Sequence, residues 1–260
     1  MICPVCKNEL IIENKCYKCN NGHSYDIAKE GYINLLLNRT MAGDDKTLVN
    51  GRINFLKQGY YEPLKQFLEN LLADFSPEKS QKLLDMGCGT GYYTQGFANY
   101  CQTFGLDISK NAIKYASKHD KNTTYIIASN KSVPFLDNYF DILVHIFSPF
   151  FENEDNRLLK NDGLLILVEP GPKHLIELKN ILYKKPYLNE EKSHSYKTFK
   201  EINHFSLTYS KEINNIDINN LVMMTPYFYT TKKDVISSLK IDKNIILTID
   251  FSITIFKPNF

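Results

Sequence analysis

The chain has 260 residues, 43% hydrophobic and 23% charged, with a formal net charge of +2. It is long enough for one large domain or two smaller ones with a substantial core. No apolar run reaches the roughly 20 residues needed to cross a bilayer, so no membrane partner is expected. The small net charge does not by itself argue for nucleic acid. Met1-Ile2-Cys3 leads straight into a cysteine motif with no leader segment, so a cytoplasmic location is expected.

Four of the six cysteines fall in the first 19 residues, which reads as metal binding and not as a disulfide framework. Cys3-Pro-Val-Cys6 and Cys16-Tyr-Lys-Cys19, followed by His23, have the spacing of a zinc ribbon, in which each Cys-x-x-Cys wraps one edge of a tetrahedral ion. Five candidates compete for four places: four cysteines, or Cys3, Cys6 and Cys19 with His23 replacing Cys16. Residues 1–37 hold too few apolar side chains to fold unaided, so the metal would supply folding free energy directly. Asn38 to Asn50 lacks a hydrophobic period and reads as a linker, with Arg39, Lys46 and Arg52 spread through and beyond it. Phe55, Leu56, Leu64, Phe67, Leu68, Leu71 and Leu72 then fall at helical spacing. Gly59 interrupts them, which predicts two helices with a kink between.

The organising stretch is Leu83 to Thr94: an apolar strand ending in Asp85, the loop Gly87-Cys-Gly89-Thr-Gly91, and a helical start. Glycines let the backbone approach a nucleoside ligand, and the spacing is neither that of dinucleotide enzymes nor that of a P-loop. Phe104 to Ser109 supplies a second strand ending in Asp107, where such folds hold ribose hydroxyls. The pair resembles motif I and its acidic partner in class I S-adenosylmethionine-dependent methyltransferases. That resemblance implies cofactor contacts from Asp85, Gly87, Gly89, Tyr93, Thr94 and Asp107. Ser129, at the end of the third strand (Thr124 to Ala128), is expected near the adenine edge. A fourth strand, Phe140 to Phe147, ends in Ser148-Pro-Phe150-Phe, and a turn from Leu158 to Gly163 leads into a fifth, Leu164 to Glu169. Ile202 to Ile213 and Ile245 to Phe256 alternate as the sixth and seventh strands. The fold class expected is therefore α/β: a Rossmann-like, seven-stranded class I methyltransferase sheet with an N-terminal zinc-binding module. Its divisions are 1–37 (metal module), 38–80 (linker and helical lid segment) and 81–260 (methyltransferase domain).

Cys3-Pro-Val-Cys6, Cys19 to Leu36, Arg52 to Leu64, Pro170-Gly-Pro-Lys-His174-Leu and Met224-Thr-Pro-Tyr227 resemble the RlmA family of 23S rRNA (guanine-N1)-methyltransferases. The resemblance implies zinc on Cys3, Cys6, Cys19 and His23, cofactor contacts from Tyr61 and His174, a 23S rRNA hairpin loop as partner, and a precedent for a homodimer. Guanine N1 carries a proton that must leave, so an acceptor is needed. His174 and Glu169 are candidates by position, Phe150 is a candidate for stacking on an extruded base, and His145, inside an apolar strand, reads as structural. Lys173 to Lys211 holds eight lysines against four acids, together with His174, His194 and His204, which is either a solvated surface or a basic face. The insert between the sixth and seventh strands is the expected place for RNA contacts. Two other readings fit the core alone: a small-molecule methyltransferase, and an RNA-binding protein that keeps the cofactor fold without turnover. The metal module argues against the first, and the intact loop with Asp85 and Asp107 against the second.

Overall fold

The computed structural model describes residues 1–37, 43–75, 79–190, 195–231 and 243–259. Strands β1 (Ile11–Glu13), β2 (Cys16–Lys18) and β3 (Ser24–Asp26) form a small antiparallel sheet, and β4 (Ile33–Asn34) leaves it. Helix α1 (Lys46–Lys57) follows, so the stretch expected as a linker through Asn50 ends sooner. The Asp45 side chain accepts from the N–H groups of Thr47 and Leu48, an N-cap that starts the helix, and Leu48 and Val49 are already buried. Residues 38–42 of that stretch, Arg39 included, lie outside the described residues. Gly59, at φ +74°, separates α1 from α2 (Glu62–Phe75), as the pattern predicts.

The rest alternates: β5 (Lys82–Met86), α3 (Thr94–Phe97), β6 (Gln102–Asp107), α4 (Lys110–His119), β7 (Thr124–Ile127), β8 (Phe140–Ile146), α5 (Glu152–Leu158) and β9 (Leu159–Pro170). The fifth strand of the sheet thus begins before the expected Leu164, with a register irregularity where Phe140 faces Leu159 and Ile142 faces Leu164. Helix α6 (Ile176–Leu182), the long β10 (Phe199–Ile213), α7 (Asn215–Met224), α8 (Tyr227–Thr230) and β11 (Ile245–Pro258) complete the chain.

The large sheet has the order β10-β11-β9-β8-β5-β6-β7-β4. Strands from β4 to β9 pair in parallel, while β11 runs antiparallel to both β9 and β10. Helices cover both faces of the parallel part, which is why β8 reads as an almost unbroken apolar run. Seven strands match the expectation. The eighth, β4, comes from residues 1–37 and places Ile33 opposite Ile126 and Asn34 opposite Ile127. The Ile2 N–H donates to the Pro134 carbonyl at 2.9 Å, and Cys3, Leu10, Ile33 and Leu35 share one core with Phe104 and Phe135. The metal-motif segment is therefore part of the main packing. Among the described residues no helix is long and apolar enough to cross a membrane.

Candidate active site and metal centre

The ligand atoms of Cys3, Cys6, Cys19 and His23 all lie within 4.8 Å of one another. The Cys6–Cys19 sulfur separation is 3.5 Å and Cys19 Sγ lies 3.4 Å from His23 Nδ1. Zn–S bonds of about 2.3 Å in a tetrahedron imply edges of about 3.8 Å, so the donor set and its spacing suit zinc. Burial raises the Cys3 thiol, but hydrogen bonds from the Tyr25 hydroxyl and the N–H groups of Cys6 and Val5 outweigh it and bring the pKa to about 6, favouring the thiolate a metal needs. Cys16 stands apart: its sulfur lies 2.8 Å from Ser24 Oγ, within the pairing of β2 and β3.

The Gly-rich loop leaves β5 with positive φ at Gly87 (+82°), Gly89 (+54°) and Gly91 (+77°). A Cβ at Gly91 would come within 2.6 Å of Tyr125 Oη, so both conformation and space require glycine there. Around Gly89 the surface is open except for the tip of Arg52. Asp107 is tied into the loop: its carboxylate accepts from the N–H groups of Gly89 at 2.9 Å and Ser109 at 2.7 Å. Asp85 and Thr94 lie buried beneath, joined by a 2.6 Å hydrogen bond from Thr94 Oγ1. Burial pushes the Asp85 carboxyl up to about 7, only partly offset by Thr94. These two residues hold strand end to helix start from below. The buried Tyr93 hydroxyl has no hydrogen-bond partner among the described residues. Ser129 makes a local turn, accepting from Lys131 N–H. An open glycine cradle, an acid beside it and an orphaned buried hydroxyl suit a ligand with a ribose and polar edges, as S-adenosylmethionine has.

Tyr61 is fully buried and its hydroxyl lies 3.3 Å from His174 Nε2. The Asp250 backbone N–H donates to His174 Nδ1, which leaves the neutral ring's proton on Nε2, directed at Tyr61 Oη. Burial lowers the His174 pKa to about 4. Both nitrogens are thus engaged by the protein. Asp250 was not singled out from sequence, yet it organises the Pro170 to His174 turn. Its carboxylate accepts from Lys173 N–H and Thr208 Oγ1, and Gly171 N–H donates to its carbonyl. The signal was there: one acid in an otherwise apolar alternating strand. Of the other candidates, Glu169 is half-buried opposite Ser252 at the C-terminal end of β9. Phe150 packs on Tyr196, with ring centres 4.6 Å apart, and edge-on against Phe199.

Arg52 and Asp44 form a 2.7 Å ion pair beside Gly89, and the Asp44 carbonyl accepts from Ser109 Oγ. The start of α1 therefore crosses the loop next to Asp107. His145 is buried, with Nε2 2.6 Å from Asp155 Oδ1 and Nδ1 3.0 Å from Ser148 Oγ. Ser148 in turn donates to the Met86 carbonyl, and its Cβ abuts Gly87. This network ties the end of β8 to the Gly-rich loop, in keeping with the structural role expected for His145.

Sheet order, loop and acid pair together define a class I S-adenosylmethionine-dependent methyltransferase. Residues 84–167 match the family described as methyltransferase domain, and residues 1–37 match that described as RlmA, N-terminal, a zinc ribbon. The chain is 30% identical over 273 residues to YxjB of Bacillus subtilis (strain 168), a protein named for 23S rRNA (guanine-N(1)-)-methyltransferase activity, covering 97% of this chain and 95% of that one. It is also 30% identical over 189 residues to the 23S rRNA (guanine(748)-N(1))-methyltransferase of Streptomyces fradiae, covering 69% of this chain and 66% of that protein. The chain belongs to the RlmA family of 23S rRNA (guanine-N1)-methyltransferases.

Proposed function

We propose that this protein transfers a methyl group from S-adenosylmethionine to N1 of a guanine in a 23S rRNA hairpin loop. The observation that carries the reading is the joining of a Cys3/Cys6/Cys19/His23 centre to the methyltransferase sheet in one chain, together with similarity to the Bacillus subtilis relative across 97% of this chain. A small-molecule substrate is not favoured, because such an enzyme has little use for the metal module. In this reading residues 1–37 dock folded RNA by shape and phosphate contacts, the stretch 38–80 contributes helices α1 and α2 over the cofactor, and 81–260 carry the reaction.

When bound, the cofactor supplies a methyl on a sulfonium, already a good leaving group. The protein's part is mainly to hold acceptor and donor in line. Gly87, Gly89, Tyr93 and Asp107 line the cofactor cradle, with Asp85 and Thr94 bracing it from beneath and Ser129 beside the third strand. Tyr61 and His174 close it on the side of β11. His174, neutral and engaged at both nitrogens, serves as a fixed hydrogen-bonding wall. Glu169 is the carboxylate assigned to accept the guanine N1 proton, so E169Q should lower the methylation rate while leaving cofactor affinity intact. An rRNA substrate places the work in the cytoplasm, and the homodimer implied by the resemblance would register as a doubled mass in light scattering. The deciding experiment incubates protein and labelled S-adenosylmethionine with 23S rRNA from cells lacking the modification, then separates nucleosides. Label in 1-methylguanosine is expected; label in another nucleoside alone would overturn the assignment.

A further inference from the structure

The residue that follows β8, Phe147, is 45% exposed and adopts a left-handed backbone at φ +56°. For a bulky side chain this conformation is unfavourable and persists only where its surroundings over-determine it. They do so here. The Phe147 N–H donates to the Val168 carbonyl at 3.0 Å, and Ser148, the next residue, is pinned by Met86, His145 and Gly87. The strained backbone sets the phenyl ring at the C-terminal edge of the sheet, next to Ser148, whose side chain abuts Gly87 of the Gly-rich loop. Its inner side is backed by His174, near-parallel at 29° with centres 6.4 Å apart, and by Phe251 at 5.6 Å. An apolar ring held open to solvent by backbone strain, with a rigid aromatic support behind it, contributes little to the core.

We infer that Phe147, and not Phe150, is the platform on which the extruded target guanine stacks; this rests on the RNA-methyltransferase reading above. Phe150 has its ring committed to Tyr196, Phe199 and His145. Phe147 offers a π-face beside the cofactor loop, which is what an unstacked base needs in order to be held with its N1 edge toward the methyl. His174, carrying no charge, completes the stack from behind and is joined through Tyr61 to the cofactor side.

The test compares F147L, F147W and F150L with wild type on the 23S rRNA hairpin that the wild-type protein methylates. Leucine keeps an apolar contact and the same backbone cost while removing the π-face. Loss of one base–aromatic stack corresponds to about ten- to a hundredfold, so F147L should lose that much in kcat/KM for RNA with S-adenosylmethionine affinity unchanged by calorimetry. F147W should retain most of the activity. F150L should lower the melting temperature, with activity per folded molecule near wild type. If F147L methylates RNA at the wild-type rate, or F147W falls as far as F147L, the platform is overturned while the function stands. If F147L loses the cofactor, F147M carries the same comparison. No methylated guanosine from the wild-type protein, with cofactor still bound, would sink the underlying reading instead.

Discussion

Buried neutral His174 makes a quantitative prediction about pH. Burial holds its pKa at about 4, against an ordinary 6.5. At about 1.4 kcal/mol per pH unit, a difference of this size is worth about 3 kcal/mol. Between these two values the unfolded chain binds a proton and the folded chain does not. The contribution is therefore fully present above pH 6.5 and is lost as pH falls toward 4. Asp85 acts in the opposite sense. Its folded pKa is raised to about 7 from 3.8, so its contribution is fully present below 3.8 and is lost as pH rises through 7. The two nearly offset each other between pH 4 and 6.5, and the wild-type profile alone would conceal both. The measurement is the difference in unfolding free energy between wild type and H174Q, by urea denaturation at half-unit steps from pH 4 to 7.5. The wild-type advantage should shrink by about 3 kcal/mol from pH 6.5 to 4, a melting-temperature difference of roughly 10 °C for a chain this size. A difference that stays constant across the range would refute a buried, neutral histidine whose Nδ1 accepts from Asp250.

Four further outcomes follow from the site. C16S should retain one zinc by elemental analysis, whereas H23A and C19S should lose it. Chelation should lower the stability of the whole chain, since structural zinc carries on the order of 10 kcal/mol of folding free energy in small modules and Cys3 and Cys19 lie in the main core. G91A combines a left-handed backbone with a Cβ 2.6 Å from Tyr125 Oη. It should weaken S-adenosylmethionine binding about tenfold or more, given about 1–2 kcal/mol for the backbone alone, and unchanged affinity by calorimetry would count against this geometry. D250N disturbs the acceptor for Lys173 N–H and Thr208 Oγ1. It should cost about 1–3 kcal/mol in urea denaturation and a smaller change would mean that the turn does not depend on that carboxylate.

Features set by local chemistry were legible in the sequence. Three glycines at alternate positions behind an apolar strand read as a loop because positive φ needs them, and Gly87, Gly89 and Gly91 all adopt it. The terminal strand alternates plainly, and Ile245–Pro258 follows it. What escaped depended on distant partners. The start of α1 was hidden because Leu48 and Val49 are too few to show a helical period until the Asp45 cap is counted. Asp250 reads as an anomaly in a strand until Lys173 and Thr208 are placed beside it. Phe147 and Phe150 are indistinguishable in a run of aromatics. Only the turn at Phe147 and the packing of Tyr196 on Phe150 separate them.

The pairing of Ile33–Asn34 with β7 has a practical consequence for anyone dissecting this protein. An uncovered strand edge presents unpaired N–H and C=O groups and recruits other chains. Here the small metal module acts as the cover for that edge, sealing Ile126 and the apolar side chains beneath it. Cutting the chain after residue 37 would yield a sticky sheet in place of a clean catalytic fragment. Loss of metal from Cys3, Cys6, Cys19 and His23 would loosen the segment that carries this cover.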